Sequence, residues 1–379
     1  MLVKLEKFVE LRQGLAINAQ TNYLISNHQT SEFQYPLLKI VDMENKNFST
    51  FVSTNVSDNV IAKQDDIIYT RTGQIGLAFR GFEGVVHNNS FIVSLISNEI
   101  DKDYLFVILN SDFVRKQALK MAKNSVQPDL THAMFKSIQI PFYEKSIQKK
   151  IAKIILELDL QLERNKNMVK RLQVLSHTIF NRFFASEASL VPLVEFPYIQ
   201  ILKPGIQKFE GTKHYIATAE VESEKINYDA PLIEYATREN RANMQPIPNS
   251  IWFAKMKRSI KHIYVTSNDN HLIGNYVFST GFCGIKCDDI AFEYMVNYLN
   301  LPYFEKEKDI LSHGATMEGV NNEDLKSFKI HLPAKETLLL FSNTTRNIHY
   351  EIAKINKMTH QLALFKNRLL PLLISGQLQ

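Results

Sequence analysis

Cys283 and Cys287 are the only cysteines in the chain, and they come closest to a metal motif. A structural zinc site takes four ligands, so this pair supplies half of one. Positions four apart in a strand share a face, which makes two buried free thiols the simpler reading. His262, His271 and His313 fall at no ligand spacing. There is no G-x-x-x-x-G-K-[ST] loop to cradle a triphosphate, and Gly73, Gly76, Gly81 and Gly84 miss the spacing of a dinucleotide fingerprint. The Asn/Asp-Pro-Pro-aromatic tetrad of amino-methyltransferases is absent, as is H-E-x-x-H. No nucleophile–base pair can be drawn, so the sequence points to a chain that binds rather than one that catalyses.

The net charge of +5 and the Arg, Lys, Asn and Gln side chains of several polar loops permit nucleic-acid binding without establishing it. Arg reads guanine and Asn or Gln reads adenine through paired hydrogen bonds, with Lys and Thr assisting. Thr70, Arg71, Thr72 and Gln74 follow a short apolar run, Asp66–Tyr69, on a turn set by Gly73 and Gly76. Glycine there lets backbone approach a ligand closely. Arg80, Asn88 and Asn89 lie on the next polar stretch, and Lys123, Asn124, Ser125 and Gln127 on a later one. In the second half, residues 250–262 carry Lys255, Lys257, Arg258 and Lys261 without an acid, flanked by Trp252 and Tyr264. His313, Thr316 and Met317 occupy the places of Lys123, Val126 and Gln127. A basic run also binds phosphates, which fixes position without reading sequence. An ordinary solvated loop is the other reading of each residue. If Arg71 or Arg258 is bidentate to guanine, its replacement by Ala costs about 1–3 kcal/mol of binding.

The elements that must hold these residues come as a repeat. At an offset of 190, Ile100 meets Ile290, Tyr104 meets Tyr294, and Leu109-Asn110 meets Leu299-Asn300. Lys136-Ser137 meets Lys326-Ser327, Ile140 meets Ile330, Leu158 meets Ile348 and Leu172 meets Leu362. Upstream the register slips, and Asp66–Tyr69 resembles Ser250–Phe253 at an offset of 184. Matching apolar positions in a fixed register indicate a tandem duplication. The length of 379 residues suits two or three domains. The expected organisation is a mixed α/β (α+β) domain over 1–145, a long helix over 146–186, a second mixed domain over 187–334, and a second long helix with its tail over 335–379. A helix is expected at Asp101–Met121 and another at Asp288–Leu299, each capped by its aspartate.

The long segments read as coiled-coil helices. Residues 146–184 and 335–370 contain neither Gly nor Pro. Leu158, Leu162, Met168, Leu172, Leu175, Ile179 and Phe183 recur every three or four residues in the first. Ile348, Ile352, Ile355, Met358, Leu362, Phe365, Leu369 and Leu372 do so in the second. Such a narrow stripe suits a helix pair, with Leu158, Leu162, Leu172, Ile179, Ile348, Ile352, Leu362 and Leu369 at the contact. Some 36 residues of helix reach roughly 54 Å. The two segments hold eight and six Lys/Arg against three and two Asp/Glu, a surplus of nine in a chain whose net charge is +5. Their outer faces are therefore solvated surface or a meeting place for acidic partners. With 45% hydrophobic and 22% charged residues the composition forms cores. No apolar run reaches the ~18 residues of a membrane span, and the start, Met-Leu-Val-Lys-Leu-Glu-Lys, does not read as a signal peptide.

Ala62-Lys-Gln-Asp-Asp-Ile-Ile-Tyr-Thr-Arg-Thr-Gly-Gln-Ile-Gly76 resembles a signature of the specificity (S) subunits of type I restriction–modification systems. The entry Val3–Gly14, taken as a helix, and the strand Pro36–Asp42 are similar to that family. So is the exit from Leu130 to Pro141, which runs into Gln148-Lys-Lys-Ile-Ala-Lys-Ile154, Leu158-Asp159 and Glu163-Arg-Asn-Lys166. Phe365-Lys-Asn-Arg-Leu-Leu-Pro-Leu-Leu-Ile-Ser-Gly-Gln-Leu378 resembles the family's carboxyl end. Ile147 stands where the family commonly has Glu, the second helix opens Lys335-Glu-Thr-Leu-Leu-Leu, and Met256-Lys257-Arg258 replaces the Thr-Arg-Thr-Gly of the first half. The resemblance implies two similar target-recognition domains, each reading half of a split target on double-stranded DNA. It also implies an antiparallel, pseudo-twofold pair of spacer helices that docks two methyltransferase (M) subunits, joined by restriction (R) subunits. This chain would itself bind no cofactor: S-adenosylmethionine would sit on M, and ATP and Mg on R. The setting would be the cytoplasm of a bacterium or archaeon. The alternatives are a coiled-coil scaffold with no DNA, and the DNA-recognition subunit of another phage-defence methylation complex.

Overall fold

The computed structural model describes residues 1–123, 128–184, 189–314 and 318–377. The chain divides into two compact units, Met1–Leu162 with Leu362–Gln379, and Glu163–Gln361. Each unit thus takes one part of each long helix.

In the first unit a central antiparallel sheet has the order β2 (Val9–Gln13), β10 (Ser90–Leu95), β7 (Ile67–Thr70), β8 (Ala78–Phe79). A second sheet runs β3 (Ile25–Ser26), β5 (Phe51–Ser53), β4 (Phe33–Leu38), β9 (Gly84–Val86), β6 (Ile61–Ala62), with α1 (Ile40–Asn45) following β4. Its β4–β9 pair is parallel, Leu37 facing Val85. A two-stranded clasp joins β1 (Leu2–Lys4) to β11 (Gln139–Pro141). The helices α2 (Lys102–Leu109), α3 (Asp112–Ala122) and α4 (His132–Ser137) lead into α5 (Lys145–Phe184).

The second unit repeats this plan. Its central sheet is β13 (Ile199–Ile201), β22 (Phe282–Cys287), β19 (Ser250–Ala254), β20 (His262–Val265). The outer sheet is β17 (Leu232–Glu234), β14 (Thr212–Ile216), β21 (Tyr276–Ser279), β18 (Ala242–Met244), again with one parallel pair, His214 facing Tyr276. The clasp is β12 (Leu190–Pro192) on β23 (Lys329–His331). A small hairpin, β15 (Val221–Glu222) with β16 (Lys225–Ile226), and α6 (Asn270–Asn275) complete the sheets. α7 (Phe292–Leu299), α8 (Pro302–Leu311) and α9 (Lys335–Ser375) follow.

The 190-residue offset survives down to single bonds. Tyr104 on α2 donates its hydroxyl proton to Pro141 O, and Tyr294 on α7 donates to His331 O, both at 2.8 Å. Burying an aromatic ring while spending its hydroxyl on the clasp locks helix to clasp in both units.

Several expected elements differ. Val3–Gly14 is not a helix: β1 and β2 flank a one-turn 3-10 segment, Leu5–Lys7. Pairing with β11 and β10 overrides its weak helical pattern. The Asp101–Met121 helix breaks at Asn110-Ser111, where the Ser111 side chain accepts from Val114 N–H and starts α3. Asp101 does cap α2, accepting from Tyr104 N–H at 3.1 Å. Asp288 caps nothing, because α7 begins four residues later and Asp288 O accepts from the Ala291 and Phe292 N–H groups.

The long helices pair antiparallel within each unit. In the first, Asp159 of α5 pairs with Lys366 of α9, and Tyr143 donates to Ile374 O. In the second, Asn165 Nδ2 donates to Thr359 Oγ1 at 3.1 Å and Ser176 Oγ lies 3.0 Å from His349 Nε2. The seam differs from the apolar stripe. Leu158, Leu162, Leu172, Ile179, Ile348, Ile352, Leu362 and Leu369 are all partly buried. Met168, Leu175, Met358, Phe365 and Leu372 are 38–54% exposed. Asn165, Val169 and Ser176 take the inward places instead, giving an unbroken four–three spacing 151, 155, 158, 162, 165, 169, 172, 176, 179, 183 of unexposed positions.

Candidate nucleic-acid interface

In the first unit β7 delivers Thr70 and Arg71 to a turn whose Gly73 and Gly76 have φ of 71° and 95°. Thr70 is fully buried, which corrects its assignment to a DNA-facing position. Its hydroxyl donates to Gln74 O at 2.5 Å and accepts from Leu77 N–H at 2.9 Å, so it closes the turn from inside. Arg71 lies beyond it. Its Nε donates to Asp129 Oδ1 at 2.8 Å, Nη2 donates to Asp129 Oδ2, and Nη1 donates to Gln13 Oε1 at 3.1 Å. The guanidinium fork is thus occupied by a carboxylate in the geometry it would offer a guanine edge.

Around it the chain draws together residues far apart in sequence. Gln13, at the end of β2, donates from Nε2 to Asn88 O, and its Oε1 lies 3.0 Å from His132 Nε2. Arg71 N–H donates to Asn89 O and Leu130 N–H donates to Arg71 O. His132 sits edge-on to Phe91, and burial, followed by the charges of Arg71 and Lys136, pulls its pKa down. Gln74 and Asn89 are exposed, and Thr72 and Asn88 half-buried. Arg80 joins a different group: it pairs with Asp103 and lies 4.8 Å over the Phe106 ring, both on α2. Lys123 is exposed at the end of α3. Asn124, Ser125 and Gln127 lie outside the described residues, as do Thr316 and Met317.

In the second unit Lys255, Lys257, Arg258 and Lys261 share the loop between β19 and β20. Lys257 pairs with Glu318, and Lys261 Nζ donates to Thr218 O at 2.7 Å. Arg258 is exposed, with φ of 58°. Lys255 is half-buried. His313 lies 3.5 Å from Asp324 and its backbone bridges Gly319 in both directions. Trp252 is no stacking platform. It is fully buried, donates to Ser250 Oγ, and its ring fills the space beside Gly284. Tyr264 is turned into a polar network, its hydroxyl 3.1 Å from His262 Nδ1. Cys283 and Cys287 are buried and free, with burial pushing the Cys283 thiol up to about 12.

The two sites share a backbone and differ in side chains. Lys255 N–H donates to Gly281 O and Val320 N–H donates to Lys255 O, as Arg71 does with Asn89 and Leu130. Thr72 bridges Asp129 in the first unit, and Met256 bridges Gly319 in the second. Arg71 and Asp129 on one frame therefore correspond to Lys255 and Gly319 on the other.

Sequence reasoning missed Gln13, Asp129 and His132, and in the second unit Glu305, Lys308, Asp309 and Glu318. Apart from the Glu305–Lys308 pair, three residues apart on α8, the contacts that bring them to the site span 43 to 119 residues, so local spacing carried little sign of them.

The chain carries a mixed head in each half, and its long helices pair within each unit. Residues 3–171 match the model of the type I restriction modification DNA specificity domain. The first repeat is thus similar to that domain, and the chain as a whole shares its fold with a solved specificity subunit. A solved S subunit of a type I restriction–modification system from M. genitalium is 12% identical, with a TM-score of 0.63 over 99% of this chain and 96% of that one. The HsdS subunit from Thermoanaerobacter tengcongensis is 14% identical, with a TM-score of 0.35 over 100% and 97%. A chain from a study of complex assembly and conformational transition of the type I R-M system is 12% identical, with a TM-score of 0.41 over 99% and 97%.

Proposed function

We propose that this chain is the DNA sequence-recognition subunit of a type I restriction–modification complex. Each unit reads one half of a bipartite target, the long helices set the spacing and dock two methyltransferase subunits, and restriction subunits join them. The chain performs no chemistry. S-adenosylmethionine belongs to the methyltransferase, and ATP and Mg to the restriction subunit. The observation that carries this reading is the shared frame with divergent side chains. Arg71–Asp129 and Lys255–Gly319 stand on the same backbone bonds, as two readers of different sequences require. No described helix is long and apolar enough to cross a membrane.

The test is the methylome of the source cells with and without the gene. Loss of one split adenine-methylation motif is the expected result, and that motif supplies both half-sites and the gap. An unchanged methylome in cells where the methyltransferase subunit is expressed and bound to this chain overturns the reading. A motif lost without any restriction subunit in the complex favours a different phage-defence methylation system.

A further inference from the structure

Beneath the basic loop of the second unit lies a charge that a core rarely keeps. Lys308 on α8 is 0% exposed. Its ammonium donates to Ser259 O at 2.8 Å and pairs with Glu305 Oε2 at 2.6 Å. Glu305 is itself 16% exposed, and its other oxygen lies 3.1 Å from His262 Nε2. Taking an ammonium out of water costs several kcal/mol, and an apolar side chain would fill the same space without that cost. What the lysine provides that Met or Leu cannot is a donor to one loop carbonyl.

The loop needs such a hold. Arg258 adopts the left-handed region at φ 58°, where a Cβ crowds the following carbonyl and a non-glycine residue is strained. It persists because both sides of the residue are fastened to consecutive residues of α8. Arg258 N–H donates to Asp309 Oδ1 at 2.8 Å, and the next carbonyl, Ser259 O, receives Lys308. Ser259 N–H closes the turn on Met256 O at 3.2 Å. The backbone that carries the exposed Arg258 side chain is therefore held in one conformation, and a pre-ordered loop loses less entropy on binding than a mobile one.

We infer that Lys308, with Asp309, is a positioning residue that fixes the Arg258 loop for DNA recognition by the second unit, an inference that rests on the function proposed above. Lys308 touches no DNA and acts through Ser259 and Arg258.

The experiment uses the full chain and two measurements. Hydrogen–deuterium exchange of the 255–261 segment is compared in wild type, Lys308→Met and Asp309→Ala. Binding is titrated over a range of salt on a duplex selected by the wild-type chain from a random pool, and on a scrambled duplex. Either variant should speed exchange at Arg258 and Ser259 by about tenfold or more while β19 and β22 keep their protection. Affinity for the selected duplex should fall about tenfold, with the scrambled duplex and the salt slope unchanged, because no phosphate contact is removed. Equal losses on both duplexes, or a slope lowered by about one, overturn the assignment. So does unchanged loop exchange. If Lys308→Met unfolds the unit, seen in the emission of the single Trp252, the partly exposed Asp309→Ala decides alone. If wild type itself shows no salt-dependent binding, the DNA reading falls and takes the inference with it. The exchange data then still show whether Lys308 holds the loop, so the two failures are separable.

Discussion

Removing Asp129 separates two roles for Arg71 that predict opposite signs. The Arg71 fork makes two charge-assisted bonds to Asp129 and a third to Gln13. Buried bonds of that kind contribute about 1.5–3 kcal/mol. Here the two side chains are 20% and 34% exposed, so solvent screening lowers the coupling to about 1–2 kcal/mol. If the pair holds the frame around Asn88, Asn89 and Leu130, then Arg71→Ala and Asp129→Ala each weaken binding to the target duplex about 5- to 30-fold. The double variant is then no worse than either single one, because both remove the same interaction. That is the outcome the geometry predicts. It is measured by anisotropy titration of the assembled complex on a duplex carrying its methylation motif. Tighter binding by Asp129→Ala would refute it. In that case the carboxylate is a competitor that Arg71 must leave in order to reach a guanine, and its removal leaves the fork free and deletes a negative charge facing phosphate.

Other consequences are tests of stability. Gly284→Ala would place a Cβ 2.4 Å from Trp252 Cζ3, with two more ring atoms under 3 Å, and overpacking of that kind costs about 1–3 kcal/mol. Denaturant unfolding followed by Trp252 emission reads it directly, and an unshifted midpoint would contradict the packing. Thr70→Val keeps the shape but leaves Gln74 O and Leu77 N–H without their partner, so a loss of about 1–3 kcal/mol is expected, with faster exchange in the 71–77 turn. Burial lowers the His349 pKa to about 4 against an ordinary 6.5, so the unfolded chain binds the extra proton between those values. Stability is therefore full above pH 6.5 and declines as pH falls toward 4, by at most about 1.4 kcal/mol per unit. Thermal unfolding of His349→Gln should show a flatter acid limb than wild type.

The repeat, the long helices and the alternation of heads and helices were legible because each rests on periodicity. A 190-residue register and a three–four spacing survive any amount of tertiary rearrangement. The entry segment Val3–Gly14 was not legible, because its conformation is decided by β10 and β11, about 80 and 135–139 residues away. Thr70, Trp252 and Tyr264 look like ligand-facing side chains by type, yet two are fully buried and the third is turned into a network. A hydroxyl or an indole N–H satisfied within the chain looks the same in sequence as one offered to a base. Lys308 and Glu305 sit in an apparently solvated Glu-Lys-Glu-Lys helix, and only packing reveals that one face of it is core.

The seam between the long helices shows where an apolar stripe misleads. Asn165 and Ser176 take inward places, while Met168 and Leu175 face out, so hydrophobic burial along the middle of these helices is incomplete. Polar groups at such positions fix register at a cost in stability. The helix ends compensate for this. Ile151, Ala152, Ile155, Leu373 and Ile374 belong to the core of the first unit. Phe180, Leu338 and Phe341 belong to that of the second, where the Phe180 and Phe184 rings lie within 6 Å of each other and of both Tyr294 and Phe341, tilted or edge-on. Each long helix is anchored by the head at either end rather than by an independent coiled coil. A helix fastened at its ends can change length in its middle without disturbing the core packed around either end.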